Sequence, residues 1–286
     1  MTERFRQFAA IDWSGAAGGR HKGIAVALAA AEGGPPVLVD HRWSRGDVLA
    51  VLRSLTSDTL VGLDLGISLP FADLGAFFPG WAESPPNAKA LWAMVDRICA
   101  GDESLAASAF VDHPEASRHF RRPGAREGDL FGGGRGRFRI TELHQRKQGC
   151  RPYSNFNLVG AAQVGKSSLT GMRVLHALGG AVPVWPVDPL PRTGPVVVEI
   201  YTTIAAIAAG RRAGYAKMRS FEELNHALGT LGSPAVAGSG PIDDHSADAL
   251  LTATWLRANA GRPELWRPAA LSDEIARTEG WTFGVA

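Results

Sequence analysis

Residues 60–65, LVGLDL, are the feature that most limits how this chain can fold. The run is apolar except for Gly62 and Asp64, and a strand that is apolar on both faces suits the middle of a sheet covered by helices. Residues 45–54 before it have helical spacing, and a helix between two strands implies a parallel crossover connection. The sequence therefore predicts an α/β fold.

The patterns before and after this run complete the order of elements. Three strands joined by short turns favour an antiparallel meander ahead of the first helix. A fifth strand, VVVEIY, is predicted far along the chain, followed by three helices, whereas Trp185–Pro189 is interpreted as a turn. The predicted strands span 5–13, 23–31, 37–43, 60–65 and 196–201, and the predicted helices span 45–54, 85–100, 158–178, 204–211, 221–228 and 243–260.

We therefore expect one domain over residues 1–286. It would contain a mixed five-stranded sheet, made of three antiparallel strands plus parallel strands and flanked by helices. A large, mainly helical insertion at about 70–190 would lie between the fourth and fifth strands, because the sequence there has few strand signals. The final residues are expected to pack on this body through Trp266, Trp281 and Phe283.

The composition excludes several classes of protein. Hydrophobic residues make up 45% and charged residues 20% of the 286, as in a globular protein rather than a disordered one. The formal net charge of +2 is too small to indicate nucleic-acid binding by itself. Cys99 and Cys150 are the only cysteines, so a disulfide framework is excluded and a cytoplasmic location is expected. The sequence has neither a signal-peptide pattern nor a run of about 20 apolar residues, so we expect no membrane association.

Carboxylates stand where the predicted strands end. Asp12 closes the first strand and Asp64 lies at the end of the fourth. Ligands in open α/β sheets bind beyond the carboxyl ends of parallel strands, so these two side chains are expected side by side. The helix over 243–260, packed across the sheet, can bring Asp248 to the same place. Converging carboxylates need a cation, and oxygen ligands suit Mg²⁺ or Mn²⁺. Two such ions about 4 Å apart can activate a water and stabilise the leaving oxygen of a phosphodiester.

Three further residues are candidates for the same site. His245 and Asp248 share a helix face, and Asp244 lies four residues before Asp248, where it is a candidate metal ligand. His245 has a reference pKa near neutrality and is expected to orient water or carry a proton. Glu199, in VVVEIY, is a candidate for supporting the water or a second ion.

Each acidic candidate also has a structural interpretation, and these alternatives stay open. Asp12 precedes Ser14 and Gly15, which is good turn chemistry. Asp64 could be neutralised by an arginine, since an unpaired carboxylate is costly to bury. Asp248 could be a solvated helix residue, and Glu199 could belong to a cross-strand pair. His245 could be a local hydrogen-bonding residue at the helix start.

The segments AAIDWSG, GLDLGISLP and DHSADALLTA, in this order, resemble the ribonuclease H-like superfamily. The last of them is similar to the H-x-x-D-A-L signature of the Holliday-junction resolvase branch. More closely, the chain resembles domain-of-unknown-function family 429, whose members are predicted ribonuclease H-like nucleases. LVGAAQVGKSSLTGMRVL, VWPVD and VVVEIY are similar to the middle region of that family. The resemblance covers most of the chain and implies a five-stranded mixed sheet with a carboxylate metal site at Asp12, Asp64 and Asp248.

Residues 160–167, GAAQVGKS, match the pattern G-x-x-x-x-G-K-S of a phosphate-binding loop, with Lys166 as its lysine. The flanking NFNLV and SLTGMRVL fit a strand and a helix. Too few strands follow for a complete nucleotide-binding core, so this alternative, an NTP-binding protein, ranks second.

Residues 117–151 are rich in arginine and glycine, with Phe120, Phe131 and Phe138 interleaved. Such a segment can bind phosphates through its arginines and stack phenylalanines on unpaired bases, so nucleic acid is the expected partner. A solvated glycine-rich loop is the alternative. The sequence thus predicts a metal-dependent nuclease. A catalytically silent nucleic-acid-binding protein on the same fold remains open, because Asp64 stands where resolvases usually have Glu.

Overall fold

The computed structural model describes residues 4–160, 164–212 and 217–286. Six strands form a mixed sheet, and two short ones form a separate hairpin. The strands are β1 Gln7–Asp12, β2 Ala25–Ala30, β3 Val37–Leu38, β4 Thr59–Leu63, β5 Arg121–Arg122, β6 Arg126–Glu127, β7 Val184–Trp185 and β8 Val196–Glu199.

Helices cover both faces of this sheet. Short 3-10 turns at Glu103–Leu105 and Ala116–His119 join some of them. The α-helices are α1 Arg45–Ser54, α2 Ala88–Ile98, α3 Ser108–Asp112, α4 Ile140–Lys147, α5 Val164–Leu178, α6 Thr202–Ala208, α7 Phe221–Thr230, α8 Asp244–Asn259, α9 Pro263–Trp266 and α10 Asp273–Thr278.

The strand order is β3-β2-β1-β4-β8-β7. Strand β2 is antiparallel to both β1 and β3, whereas β4 pairs in parallel with both β1 and β8. The predicted α/β class, with a mixed sheet flanked by helices, is confirmed. Strand β4 lies near the centre and is buried along its whole length, as its apolar run predicts.

The sheet has six strands rather than the predicted five. Val184 and Trp185, interpreted from the sequence as a turn, pair in parallel with Val197 and Val198. Two residues followed at once by Pro186 have no periodicity that could indicate a strand. The third strand is also shorter than predicted, because only Val37 and Leu38 pair at this exposed edge.

The alternation of side chains along β4 explains why its sequence is apolar throughout. Val61 and Leu63 belong to one hydrophobic cluster, which includes residues of α1, α2 and α5. Leu60 belongs to a second cluster, with residues of α7 and α8. Successive residues of a strand point to opposite faces, so a strand covered on both sides has no polar face.

The chain between β4 and β8 contains α2 to α5 and the β5–β6 hairpin, and β7 returns from it to the edge of the sheet. The C-terminal residues pack on the second cluster, with Trp266, Trp281 and Phe283 buried as predicted. The Phe283 amide donates to the carbonyl of Glu199 at 2.9 Å, so the tail extends the core beside β8. In the described ranges, no helix combines the length and apolar character that crossing a bilayer requires.

Candidate carboxylate site

Asp12 and Asp64 lie side by side at the carboxyl edge of the sheet. Asp12 is the last residue of β1, and Asp64 follows directly after β4. The two strands are parallel, with Ile11 opposite Leu63, and the Asp64 amide donates to the Ile11 carbonyl at 2.9 Å. The strand register therefore brings the two carboxylates together, as the sequence predicts.

Helix α8 brings two more side chains to this edge. Asp243 caps the helix by accepting a hydrogen bond from the Ser246 amide at 2.9 Å. The helix packs against β1 and β2, and the Nδ1 atom of His245 lies 2.5 Å from Oδ2 of Asp12. Asp248 lies one turn further along the same face, close enough for its charge to act on Asp64. The structure thus places Asp12, Asp64, Asp248 and His245 together.

Burial and mutual repulsion govern the protonation of these acids. Burial, and then the charges of Asp12 and Asp248, hold the pKa of Asp64 well above its usual range. Burial raises the pKa of Asp248 to about 7, with the charges of Asp12 and Asp244 adding to the effect. Burial also raises the pKa of Asp12, against the lowering effect of His245. These acids therefore bind protons more readily than exposed aspartates do, because burial and their mutual repulsion disfavour the ionised forms.

Among the residues that the structure describes, His245 is the one basic group that forms an ion pair with Asp12, Asp64 or Asp248. Its hydrogen bond to Asp12, across 2.5 Å, raises the pKa of the imidazole. Within the described part of the chain, neither lysine nor arginine forms an ion pair with Asp12, Asp64 or Asp248. The interpretation of Asp64 as an arginine partner is therefore wrong.

The donor set suits a divalent cation in its chemistry but is not preformed around one. Among residues 4–160, 164–212 and 217–286, no group of three or more His, Cys, Asp or Glu side chains is arranged to hold a metal. Both oxygens of Asp12 are engaged, Oδ1 by the Trp13 amide at 2.9 Å and Oδ2 by His245. A cation bound by Asp12 would therefore compete with His245 and the Trp13 amide for these oxygens.

A cavity of about 520 Å³ opens beside Asp64 and His245. Several of its polar lining residues were not predicted from the sequence, because they come from the middle of the chain: Tyr153, Asn155, Ser167 and Tyr201. Ser14, two residues after Asp12, also lines it. Its Oγ and the Nε2 of His245 each lie 3.3 Å from the point that a Cβ on Gly23 would occupy. Both side chains therefore face the same small space.

Glu199 lines this cavity, but its carboxylate is fully engaged elsewhere. Arg139 donates to Oε1 at 2.6 Å and to Oε2 at 2.8 Å, and the Ile67 amide donates to Oε2 at 2.8 Å. The Thr282 hydroxyl also donates to it. This arrangement differs from the expected support of a water or second ion, because the sequence does not reveal a partner 60 residues away.

Asp244 lies at the outer edge of the cluster. Its carboxylate forms an ion pair with Lys217, and its side chain is 33% exposed. Its charge contributes to the raised pKa of Asp248, but its carboxylate points toward Lys217 rather than toward Asp12 or Asp64. The expected direct role as a metal ligand is therefore not supported by this geometry.

The GAAQVGKS pattern lacks the surroundings of a phosphate-binding loop. Residues 161–163 lie outside the described residues. Helix α5 covers Val164–Leu178, whereas the predicted helix began at residue 158, and residues 158–160 are not helical. The residues before the pattern form a turn with one bridge between Arg121 and Asn157. The strand expected over NFNLV is therefore wrong. A Cβ on Gly165 would lie 2.3 Å from the Asn155 carbonyl oxygen, so this glycine allows close packing of α5.

The basic segment 117–151 is largely neutralised within the fold. Phe120 and Phe131 are 0% and 1% exposed, so the expected stacking of these rings on bases is wrong. Arg146 lies 3.8 Å from the centroid of the Phe138 ring. Most of the other arginines are ion-paired: Arg118 with Asp129, Arg121 with Glu127, Arg122 with Asp112, Arg137 with Asp73 and Arg139 with Glu199.

Comparison with known proteins adds no assignment to this geometry. The chain matches no protein-family model, no curated protein and no solved structure. Any functional conclusion therefore depends on the residues themselves.

Proposed function

We propose that the protein is a metal-dependent phosphodiester hydrolase of the ribonuclease H-like type, acting on nucleic acid. One observation carries this proposal: three acids from two parallel strand ends and one helix converge without a lysine or arginine among the described residues to neutralise them. Like charges are buried together at a cost, and a bound cation is the usual compensation. The mixed sheet and the resemblance of the AAIDWSG, GLDLGISLP and DHSADALLTA segments support the same assignment.

In this proposal Asp12, Asp64 and Asp248 hold Mg²⁺ or Mn²⁺. Carboxylate oxygens are the ligands that these ions prefer. The ions would supply Lewis acidity and an activated water. The cavity beside Asp64 is large enough to admit part of a nucleotide chain.

His245 is the proton carrier of the site in this proposal. It is about half exposed and lines the cavity, and its hydrogen bond to Asp12 raises the pKa of the ring. A protonated imidazole can donate to the leaving oxygen of a phosphodiester. The Ser14 hydroxyl faces the same space and adds a hydrogen-bonding group next to the ring.

The first test is cleavage of labelled single-stranded, duplex and branched oligonucleotides with Mg²⁺ or Mn²⁺. We expect cleavage by the wild type, none after EDTA, and none by Asp12→Asn. Asp112→Asn, at a side chain that is 65% exposed and remote from the cluster in sequence, is the matched control. Cleavage that survives in Asp12→Asn would reject the assignment.

A catalytically silent nucleic-acid-binding protein is the second candidate, because His245 already forms an ion pair with Asp12. Calorimetric titration with Mn²⁺ separates the two. Binding that is lost in Asp64→Asn supports the hydrolase, and no binding by the wild type supports the silent protein. For the NTP alternative, unchanged ATP affinity in Lys166→Ala would remove it.

A further inference from the structure

The carboxylate cavity, the one of about 520 Å³ beside Asp64 and His245, has a buried amide side chain in its lining. Gln145, on α4, lines this cavity and is only 3% exposed. Its Nε2 donates to the Thr282 hydroxyl oxygen at 2.9 Å. In the described part of the chain, its Oε1 accepts no hydrogen bond. A buried acceptor without a partner is costly, so this oxygen suits a ligand that brings a donor.

The hydrogen bonds around Gln145 fix the orientation of its amide. The Thr282 hydroxyl donates its single proton to the carboxylate of Glu199, so toward Gln145 it can only accept. The Gln145 nitrogen must therefore face Thr282, and the Gln145 oxygen must face away from it. Arg139 holds Glu199 in place through two hydrogen bonds, at 2.6 and 2.8 Å. The orientation of the amide thus follows from this chain of partners.

A second amide in the lining of the carboxylate cavity is fixed in the same way. Asn155 is buried, and its Nδ2 donates to the Ser68 carbonyl oxygen at 2.8 Å. A carbonyl oxygen can only accept, so the Asn155 nitrogen faces Ser68 and its Oδ1 faces away. Among the described residues this oxygen accepts no hydrogen bond either. Two buried amides therefore offer acceptor oxygens, and a ligand with N–H donors complements them.

An aromatic ring lies where this cavity opens to solvent. Tyr153 lines the cavity and is 49% exposed. Burial raises the pKa of Tyr201, another lining residue, to about 12, and the charges of Asp64 and Tyr153 contribute to the effect. Tyr201 therefore lies close to both the acids and Tyr153. An exposed aromatic ring near a cleavage site offers a surface on which an unpaired base can stack.

An unpaired nucleobase matches this combination of groups. Its flat face stacks on an aromatic ring, and the exocyclic amino group of adenine, cytosine or guanine carries two N–H donors. In a duplex the amino group is engaged in the base pair and the face is covered by neighbouring bases. A cavity of about 520 Å³ has the size of a small-molecule site, which admits one nucleotide but not a duplex.

We infer that the carboxylate cavity binds an unpaired base of a single-stranded substrate, and that Gln145 recognises the exocyclic amino group of this base through Oε1. The inference rests on the proposed function and names its substrate class. Tyr153 stacks on the face of the base, and the Asn155 oxygen is a second acceptor for its N–H groups. Thymine and uracil, which have no exocyclic amino group, fit this site less well.

Adenine and unsubstituted purine differ only in the amino group, so they isolate this contact. The probes are two fluorescently labelled single-stranded oligonucleotides, one with adenine and one with purine as every base. Anisotropy is measured in EDTA, so that no cleavage occurs, and at about pH 6, where Asp248, with a pKa raised to about 7, repels the strand less. We expect the wild type to bind the adenine strand about tenfold more tightly or better, because purine leaves the buried acceptors unpaired.

Gln145→Met removes the acceptor and keeps nearly the same side-chain shape. We expect this variant to prefer the adenine strand by less than about threefold. Gln148→Met, the same substitution three residues later at an exposed side chain outside the cavity lining, is the matched control and should keep the wild-type preference. Equal binding of the two strands by the wild type overturns the inference whether or not Gln145→Met folds. So does an unchanged preference in a folded Gln145→Met, or a wild type that binds no oligonucleotide.

Tyr153 tests the stacking contact separately. Tyr153→Ala should weaken the binding of both strands by the same factor, about tenfold, because stacking does not depend on the amino group. Tyr153→Phe keeps the ring and should stay within about twofold of the wild type. Unchanged binding in Tyr153→Ala would contradict the stacked base.

Two further probes define the ligand. The adenine strand hybridised to its complement has its amino groups engaged, so we expect it to bind about tenfold more weakly or worse, and a duplex bound as tightly as the single strand would overturn the inference. Free adenosine distinguishes the source of the base. Calorimetric binding of adenosine that the adenine strand does not displace would assign the cavity to a free nucleoside and overturn the single-strand assignment.

The two proposals fail separately. Binding that depends on the amino group, without cleavage under any metal, rejects the hydrolase alone. Metal-dependent cleavage of the adenine and purine strands with equal kcat/KM rejects the recognition by Gln145 alone.

Discussion

His245 connects the acids of the site to solvent. It contacts Asp12 through one ring nitrogen, and its other nitrogen faces the space shared with Ser14. If it donates a proton to the leaving group, activity falls as pH rises through its raised pKa. We expect His245→Gln to lower kcat by about 10²–10⁴-fold and to remove this alkaline limb. The pH–rate profile of oligonucleotide cleavage measures both, with His226→Gln on the exposed side of α7 as the control.

A profile in His245→Gln that keeps the same alkaline limb would show that another group carries the proton. A loss of rate at all pH values with an unchanged limb would reduce His245 to a residue that positions Asp12.

Asp248 provides a test of the buried charge itself. Its folded-state pKa of about 7 lies above that of an exposed aspartate, so the folded state binds the proton more tightly than the unfolded state. Stability is therefore lost as pH rises from about 4 toward 7, and the full cost is present above the folded-state pKa. We expect Asp248→Asn to stabilise the metal-free protein at pH 8 by on the order of 2 kcal/mol, and by less than half of that amount at pH 5. Urea unfolding in EDTA at the two pH values measures the difference.

Asp273→Asn, at an exposed residue of α10, should change stability equally at both pH values. If Asp248→Asn gives the same change at pH 5 and pH 8, the folded protein does not raise the pKa of Asp248 by burial and neighbouring charge, and the argument for a cation at this site is lost.

At the scale of elements, residues 14–16, which follow β1, pack closely against α5. A Cβ on Gly15 would lie 2.5 Å from the backbone of Lys166 and Ser167. Gly15→Ala therefore forces residues 14–16 and α5 apart, and we expect a loss of roughly 1–3 kcal/mol in unfolding free energy. Cleavage should fall as well, since Ser14 belongs to this segment and Asp12 lies two residues before Ser14. Gly101→Ala, with nothing within 4 Å of its Cβ, is the control for denaturant unfolding and activity. A fully stable and active Gly15→Ala would contradict this packing.

The elements that sequence predicts well are those with a local cause. Strand β4 follows from its continuous apolar run, and α8 follows from the acidic cap at Asp243 and the apolar residues behind it. The neighbouring positions of Asp12 and Asp64 follow from the parallel register, which the crossover helix α1 implies. Strand β7 has no such cause, because its two residues are a strand only through pairing with Val197 and Val198.

Contacts between distant residues are where the sequence interpretation failed. The pairing of Glu199 with Arg139 spans 60 positions, and the burial of Phe120 and Phe131 depends on the insertion closing around them. A second cavity, of about 500 Å³, combines residues of α1, α5 and the turn near Ser104. No periodicity or spacing in the sequence indicates which residues of the insertion will meet, because that is decided by tertiary packing.

At the scale of the whole molecule, Arg139 joins three parts of the chain. It contacts Glu142 beside it in the insertion, Glu199 in the sheet and the carbonyl of Glu279 in the C-terminal tail. Glu199→Gln leaves a buried arginine without half of its counter-charge, so we expect a loss of about 3–5 kcal/mol in unfolding free energy. Divalent-metal affinity should be unchanged in the folded fraction. Urea unfolding and Mn²⁺ calorimetry measure these two quantities.

Glu83→Gln, whose side chain is 70% exposed, is the matched control and should change neither quantity. Loss of Mn²⁺ affinity in a stably folded Glu199→Gln variant would instead show that Glu199 contributes to metal binding.

The separation of β4 and β8 along the chain has a consequence for synthesis. The two strands are neighbours in the sheet, yet about 130 residues lie between them. A ribosome adding roughly 5–20 residues per second makes β4 on the order of ten seconds before β8 emerges. During this interval the nascent chain has an unpaired apolar edge, which is the kind of surface that chaperones bind and that aggregates form on. Slower translation of the insertion should therefore reduce the yield of folded protein, whereas slower translation after β8 should not.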